Sequence, residues 1–341
     1  MTPLYIPTHQ SVRYNAFFHS SNFREIIGMS VYTTVSEQAL TKFLSDYSIG
    51  ELVSLTGISD GIENTNYFVD TSQGKYVLTL FETLSANELP FFLDLMAHLN
   101  EHQVPSAHPI ADNNKRYLKM LCGKPAALVQ RLTGKSNMQP NEQQCAALGQ
   151  ALGHAHVVTK NFMGVRENRR GPHWWQQTGQ KLLPHLSDEQ KQLLEDELAF
   201  QTQHRKDNLP RGVIHADLFR DNALFDGNTL SGIIDFYYAC NDVLLYDVAV
   251  TANDWCSNED GSLNQTRCAS FLQAYQKERS LSDGEKADWS LMLRAAALRF
   301  WLSRLQDKHF PREGEMTHIK DPAIFEDILR DRRSNTAEFD V

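Results

Sequence analysis

At 341 residues the chain is long enough for two packed lobes, and 41 % hydrophobic with 22 % charged residues matches neither a disordered nor a membrane composition. A formal net charge of −9, with no long run of Lys and Arg, argues against a nucleic-acid partner. The five cysteines form an odd, scattered set without a Cys-x-x-Cys pair, which argues against a disulfide framework or zinc ribbon and suits a reducing cytoplasm. No apolar stretch reads as a signal peptide or a membrane span, so neither export nor membrane association is expected.

Patterned sequence begins after Met29, and residues 1–28 read as an N-terminal extension or a mis-assigned start. Glu37 to Leu44 reads as a short helix. Leu52 to Leu55 then leads into a polar, Gly-bearing turn, Gly57 to Asn66. Tyr67 to Val69 and Lys75 to Phe81 are β-branched or aromatic runs joined at Thr71 to Gly74, a hairpin. Phe92, Leu93, Met96 and Leu99 recur at helical spacing, with Asn87 as the cap and Pro90 in the first turn, predicting one helix across that sheet. Strands near Tyr117 to Met120 and Ala126 to Leu132 complete an antiparallel β-rich lobe over residues 29–132. Helices are predicted over 141–158, 173–183, 187–207, 264–279 and 283–308, giving a mainly helical lobe over 133–333 and a tail over 334–341. The expected fold is α+β and two-lobed, without internal repeats.

The chemistry concentrates in His215-Ala-Asp217-Leu-Phe-Arg-Asp221-Asn222, followed by Ile234-Asp235-Phe236. Phosphoryl transfer needs a group to orient the attacking hydroxyl, oxygen ligands for the Mg²⁺ that bridges the phosphates, and a phosphate cradle. In an H-x-D-x-x-x-x-N arrangement Asp217 meets the hydroxyl and Asn222 reaches a metal ion. Asp226-Gly-Asn-Thr229 reads as a hairpin turn, with Asn222 four residues before it and Asp235 six residues after it. They are expected opposite each other at the open end, where two oxygen ligands share a hard cation. His215 is assigned to fixing the loop.

These features resemble the aminoglycoside-phosphotransferase and choline-kinase-like superfamily, whose fold is a protein-kinase-like pair of lobes. Gly61-Ile-Glu-Asn-Thr-Asn-Tyr67, Tyr76-Val-Leu-Thr-Leu-Phe-Glu82, Glu88-Leu-Pro-Phe-Phe92, Asp254-Trp-Cys256 and Arg299-Phe-Trp301 look closest to the type II homoserine kinases. That resemblance implies ATP as co-substrate, Mg²⁺ held by Asn222 and Asp235, and L-homoserine as the phosphorylated small molecule. It also implies Gly61, Asn64, Thr65 and Asn66 over the nucleotide phosphates, Val77 against the adenine, Gln130 at the nucleotide's lobe boundary, and Asp247 holding the catalytic loop. Arg299, Asp254 and Trp255 are the candidates for the carboxylate and ammonium of an amino-acid substrate.

The pattern also departs from that of a kinase. Alignment with V-A-I-K leaves Thr79 where the phosphate-binding lysine should stand, and the loop lacks G-x-G-x-x-G. Lys75 reads as a solvated hairpin residue, and no glutamate stands out as a lysine partner. His154-Ala-His156 reads as ordinary helix rather than a metal site, because residues two apart do not share a helix face. Trp174-Trp175 reads as packing. The alternatives left open are a kinase of this fold acting on choline, a thiosugar or an aminoglycoside, and a non-catalytic nucleotide-binding pseudokinase.

Overall fold

A computed structural model describes residues 33–58, 64–206, 208–311, 320–337 and 339; the extension 1–28 and Gly61 lie outside these. Ser36 caps the first helix, α1 (Glu37–Leu44), by accepting the Ala39 N–H at 3.1 Å, a contribution of ~1 kcal/mol. Next come β1 (Leu52–Ile58), β2 (Asn64–Thr71), β3 (Gly74–Phe81), α2 (Leu89–Glu101), β4 (Leu118–Leu121) and β5 (Lys124–Gln130). The strands form one antiparallel sheet in the order β1-β2-β3-β5-β4.

Strand alternation gives this sheet two different faces. Tyr67, Val69, Leu78, Leu80, Ala126 and Leu128 pack with Leu40, Phe43 and Leu44 of α1 in a core of their own. Burial of each large aliphatic side chain there contributes roughly 1.5–3 kcal/mol. Val77, Phe81, Ala127 and Val129 belong instead to the core that the sheet shares with the helical half. The second helix joins that shared core through Phe92, Leu93, Met96 and Leu99, so it lies between the lobes rather than simply across the sheet. Its cap position is Glu88, not Asn87.

The helical half contains α3 (Glu142–Val158), α4 (Pro172–Leu182), α5 (Asp188–His204), α6 (Leu244–Trp255), α7 (Gln265–Glu278), α8 (Asp283–Ala287), α9 (Trp289–His309) and α10 (Ala323–Ser334). Between α5 and α6 lie a two-stranded ladder of β6 (Arg211–Ile214) with β9 (Cys240–Val243) and the hairpin of β7 (Ala223–Asp226) with β8 (Thr229–Ile233). The continuous helix expected over 283–308 divides at Asp288, whose backbone (φ −97°, ψ 10°) leaves the helical region. Its carboxylate is tied to Lys206 at 2.6 Å. The tail is not loose along its described part: Phe339 packs edge-on against Trp289 at 6.1 Å.

Two glycines permit the close approaches that hold this arrangement. Lys135 exchanges backbone hydrogen bonds with Phe225 at 3.0 and 2.9 Å, tying the interlobe segment to the hairpin. Gly134 makes that crossing at φ +99°, where a Cβ would lie 2.8 Å from the Phe225 carbonyl oxygen. In α3, a Cβ on Gly149 would lie 2.2 Å from the Phe271 carbonyl oxygen of α7. Gly149→Ala therefore forces two buried helices apart, and is expected to lower stability by about 1–3 kcal/mol. A shift of the urea midpoint measures this, and an unchanged midpoint would refute the close-packing account.

Candidate active site

The loop from His215 to Asn222 leaves β6 and enters the hairpin, and its shape depends on α6. Ala216 has φ +64°, a left-handed conformation that costs a non-glycine residue roughly 1–2 kcal/mol. Asp247 holds it there: Oδ2 accepts the His215 N–H at 2.8 Å and Oδ1 the Ala216 N–H at 2.7 Å. Burial alone would raise the Asp247 pKa. The His156 hydrogen bond, the neighbouring imidazoles of His156 and His215 and the His215 N–H outweigh it and keep the carboxylate below its ordinary range.

His215 ties the loop together from behind. Its Nδ1 accepts the Asp217 N–H at 3.3 Å, so the ring proton is on Nε2, 3.0 Å from the Ile234 carbonyl oxygen. Burial pulls the imidazole pKa down against the pull of Asp247, in keeping with a neutral ring. His215 thus contacts the backbone just before Asp235.

Asp217 opens onto the site with 19 % of its side chain exposed, 3.7 Å from the Arg299 guanidinium. Asn222 Nδ2 donates to the Asp217 carbonyl at 2.8 Å and lies 3.3 Å from its carboxylate. Burial is the main cause that raises the Asp217 pKa from 3.8 to about 7; Arg299 and Lys320 oppose it, while Asp235 and Asp221 add to it. Lys320 lies 2.5 Å from Asp221.

Instead of lying directly opposite Asn222 as expected, Asp235 is one residue beyond its partner. A bulge between Leu224 and Phe225 makes Asn222 face Ile234, whose N–H it accepts at 3.0 Å. Ser231 stabilises the bulge, its hydroxyl 2.6 Å from the Thr133 carbonyl and 3.1 Å from that of Leu224. Asp235 comes one residue later, exposed and at φ +61°, a conformation Asp tolerates better than most residues. Both predicted ligands therefore remain at the open end of the hairpin.

The donor set fits Mg²⁺. The Asn222 amide nitrogen is committed to Asp217, which leaves Oδ1 as the free end, and Asp235 offers an exposed carboxylate. Mg²⁺ in nucleotide sites takes one or two protein oxygens plus phosphates.

The sheet contributes unevenly to the site. Asn64 has a buried Oδ1 without a hydrogen-bond partner, and Asn66 Oδ1 accepts the Thr79 hydroxyl at 2.8 Å. Thr65 does not face a nucleotide: fully buried, its hydroxyl donates to Glu82 at 2.7 Å and accepts the Thr33 N–H. Val77 is half-buried on the face turned to the helical half, and Gln130 is exposed at the end of β5. Thr79 is buried at the expected lysine position, whereas Lys75 is exposed at the hairpin. Glu88 has other partners: the Ser85 hydroxyl and N–H, then Arg166 and Arg169, bring its pKa to about 2.

Of the three substrate candidates, only Arg299 adjoins Asp217. The Asp254 carboxylate is occupied by Arg220, with contacts at 2.7 Å to its N–H and 3.1 and 3.3 Å to its guanidinium, so it anchors the loop instead. Trp255 is wholly buried, its Nε1 donating to the Leu218 carbonyl at 3.2 Å. This corrects both substrate assignments. Trp175 packs as expected, 2 % exposed. His156 is more than ordinary helix, since its Nε2 lies 3.1 Å from Asp247, a role that no local spacing signals.

Residues 54–281 match the phosphotransferase enzyme family, well over half of the chain. A homoserine kinase of Methylobacillus flagellatus is 52 % identical over 302 residues, spanning 89 % of this chain and 95 % of the relative. The chain belongs to the homoserine kinase family. A homoserine kinase of Neisseria meningitidis serogroup B is 46 % identical over 88 % of this chain and 99 % of its own. Among solved structures, an amicoumacin kinase in complex with AMP-PNP, Ca²⁺ and Ami shares the fold, with a TM-score of 0.67 at 18 % identity over 89 % and 94 % of the two chains. As a homoserine kinase family member, the chain has the expected two-lobed α+β architecture, the sheet forming one lobe and the long helices the other.

The raised Asp217 pKa has a consequence for stability. Its folded value lies above the ordinary 3.8, so the stability it contributes is present below pH ~4 and is lost as pH rises through about 7. Asp217→Asn removes that loss. The variant's thermal midpoint, relative to wild type and without ligands, should be more favourable at pH 8 than at pH 4. A pH-independent difference would show that Asp217 is not perturbed.

Proposed function

We propose that this protein is an ATP-dependent homoserine kinase in threonine biosynthesis, with Asp217 as the base and Asn222 and Asp235 as the Mg²⁺ ligands. The observation that carries this reading is the convergence of Asp217, Asn222, Asp235 and Arg299 in a chain 52 % identical to a homoserine kinase. The primary hydroxyl of L-homoserine is a poor nucleophile until a positioned carboxylate takes its proton. Asp217, with a pKa of about 7, is suited to accept that proton near neutral pH. The hydroxyl oxygen forms the new bond to the γ-phosphorus, the bond to the β,γ-bridging oxygen breaks, and ADP departs with O-phospho-L-homoserine left behind.

Mg²⁺, when bound, neutralises charge on the β- and γ-phosphates. Asn222 and Asp235 would hold it, and Asn222 also keeps Asp217 in place through its amide nitrogen. Asn64, Asn66 and Val77 line the nucleotide side of this reading, with Gln130 at its edge. Arg299 is the cation for the homoserine carboxylate. Among the described residues no helix is long and apolar enough to cross a membrane. The acidic chain and its five free thiols fit a cytoplasmic enzyme that takes small molecules and neither nucleic acid nor membrane.

ADP release measured over a panel of homoserine, choline, a thiosugar and an aminoglycoside tests the acceptor. Homoserine should be preferred, with Asp217→Asn lowering kcat at least ~100-fold at unchanged ATP affinity. Equal turnover of choline or an aminoglycoside would overturn the acceptor, and unchanged kcat would remove Asp217 from the chemistry. Arg299→Gln should raise the KM for homoserine about 10–100-fold, the value of a charge-assisted contact, and leave the KM for ATP near wild type. A change confined to ATP would assign Arg299 to the nucleotide.

A further inference from the structure

Behind the loop, a chain of buried polar groups runs from α8 to Asp247. Glu285, 1 % exposed, accepts from Arg279 at 2.8 Å. Arg279 donates to the Tyr275 hydroxyl at 3.0 Å, and that hydroxyl lies 2.8 Å from His156 Nδ1. The opposite nitrogen, His156 Nε2, lies 3.1 Å from Asp247 Oδ2, the atom that also accepts the His215 N–H. Tyr275 and His156 are 0 % and 2 % exposed.

The direction of these hydrogen bonds follows from their first member. A guanidinium can only donate, so the Tyr275 oxygen is an acceptor towards Arg279, and its own proton is free to go to His156 Nδ1. Nδ1 is then an acceptor, and the single imidazole proton is on Nε2, where it points at Asp247. The tautomer of a buried histidine is set by the bond its other nitrogen makes. Were Nδ1 to carry the proton instead, the Tyr275 oxygen would receive two donors and its own O–H would lose its acceptor in a dry environment.

We propose that Tyr275 is a positioning residue for phosphoryl transfer: oriented by Arg279 and Glu285, its hydroxyl fixes His156 as the Nε2–H tautomer that clamps Asp247 and, through it, the backbone of His215 and Ala216. This rests on the reading of Asp217 as the base, two residues beyond the clamped amide. The strained Ala216 conformation is what the clamp preserves, and Asp217 is aimed by it. Loss of the Tyr275 hydroxyl leaves His156 Nδ1 without its partner, so the ring that clamps Asp247 is no longer held from behind.

The tautomer is read directly on the wild-type protein with ¹⁵N-histidine, using long-range ¹H–¹⁵N spectra with His156 assigned by its disappearance in His156→Gln. A neutral ring protonated on Nε2 is expected; a proton on Nδ1, or on both nitrogens, overturns the proposal. Kinetics give the second readout. Tyr275→Phe should lower kcat ~10-fold or more at an unchanged KM for ATP, the scale expected of a displaced catalytic group. Placed on His156→Gln, whose amide donates to Asp247 whatever Tyr275 does, the same substitution should cost less than ~2-fold. An equal cost in both backgrounds reduces Tyr275 to packing and overturns the proposal. Full activity in Asp217→Asn would instead remove the base, while the nitrogen shifts would still report on the relay.

Discussion

The buried carboxylate of Asp247 is the constraint on which the rest of the site depends. An isolated carboxylate in a protein interior costs several kcal/mol, and the cost is offset only when donors satisfy both oxygens. Here two backbone N–H groups of the loop and one imidazole supply them. The same bonds hold Ala216 in its left-handed conformation, so the strain of the loop and the burial of the charge offset each other. This explains why α6 is buried on every side and still carries polar residues. Asp247 holds one end of the loop and Asp254 the other, through Arg220, while Asn253 donates to the Leu293 carbonyl at 2.7 Å and accepts from Arg332 at 3.2 Å. Asp247, Asn253, Asp254 and Trp255 of that helix thus each have a partner on a different element, whereas the Thr251 hydroxyl donates to the Asp247 carbonyl within the helix.

In front of the clamp the problem reverses, because there burial raises the proton affinity of Asp217 instead of being offset. Asp217, Asp221 and Asp235 converge, with Arg299 and Lys320 as the opposing cations that act on Asp217. Arg299 is itself buried, 4 % exposed, with its guanidinium 3.6 Å from the Phe300 ring centroid. A buried cation beside a carboxylate of raised pKa is a poor device for stability and a good one for receiving a substrate carboxylate while the proton moves. The proton affinity of Asp217 and the position of Arg299 are therefore two aspects of one charge arrangement.

How much of this could be read from the residues depends on the range of the interaction involved. The two-lobed α+β fold, the hairpin at Asp226 to Thr229 and the grouping of Asp217, Asn222 and Asp235 follow from local patterns: alternation, turn chemistry and short spacing. The bulge that brings Ile234 rather than Ile233 opposite Asn222 does not, because it depends on the Ser231 hydroxyl meeting the Thr133 carbonyl in another segment. Asp254 and Trp255 were attractive substrate ligands as residue types. Which face of α6 meets Arg220 and which meets Leu218 is decided by tertiary packing. His156 and Tyr275, 119 positions apart, leave no local trace of their contact. The break at Asp288 was equally hidden, since apolar periodicity continues across it.

The absent lysine at position 79 becomes intelligible when its usual partner is considered. In protein kinases a lysine on the third strand bridges phosphates and a glutamate on the following helix, so removing the lysine alone would strand that glutamate. Here Glu88 lies at the start of the corresponding helix and is held by Arg166 at 3.3 Å and Arg169 at 2.7 Å, both from the helical half. The strand position is filled by a neutral pair, Thr79 donating to Asn66. Thr79 and Glu88 thus each have partners of their own, and neither is left waiting for a lysine. With a neutral residue at position 79, the proposed reading leaves more of the phosphate charge to the Mg²⁺ that Asn222 and Asp235 would hold. The chemistry then depends on how firmly the hairpin and the Asp217 loop are held, which brings the burden back to Asp247.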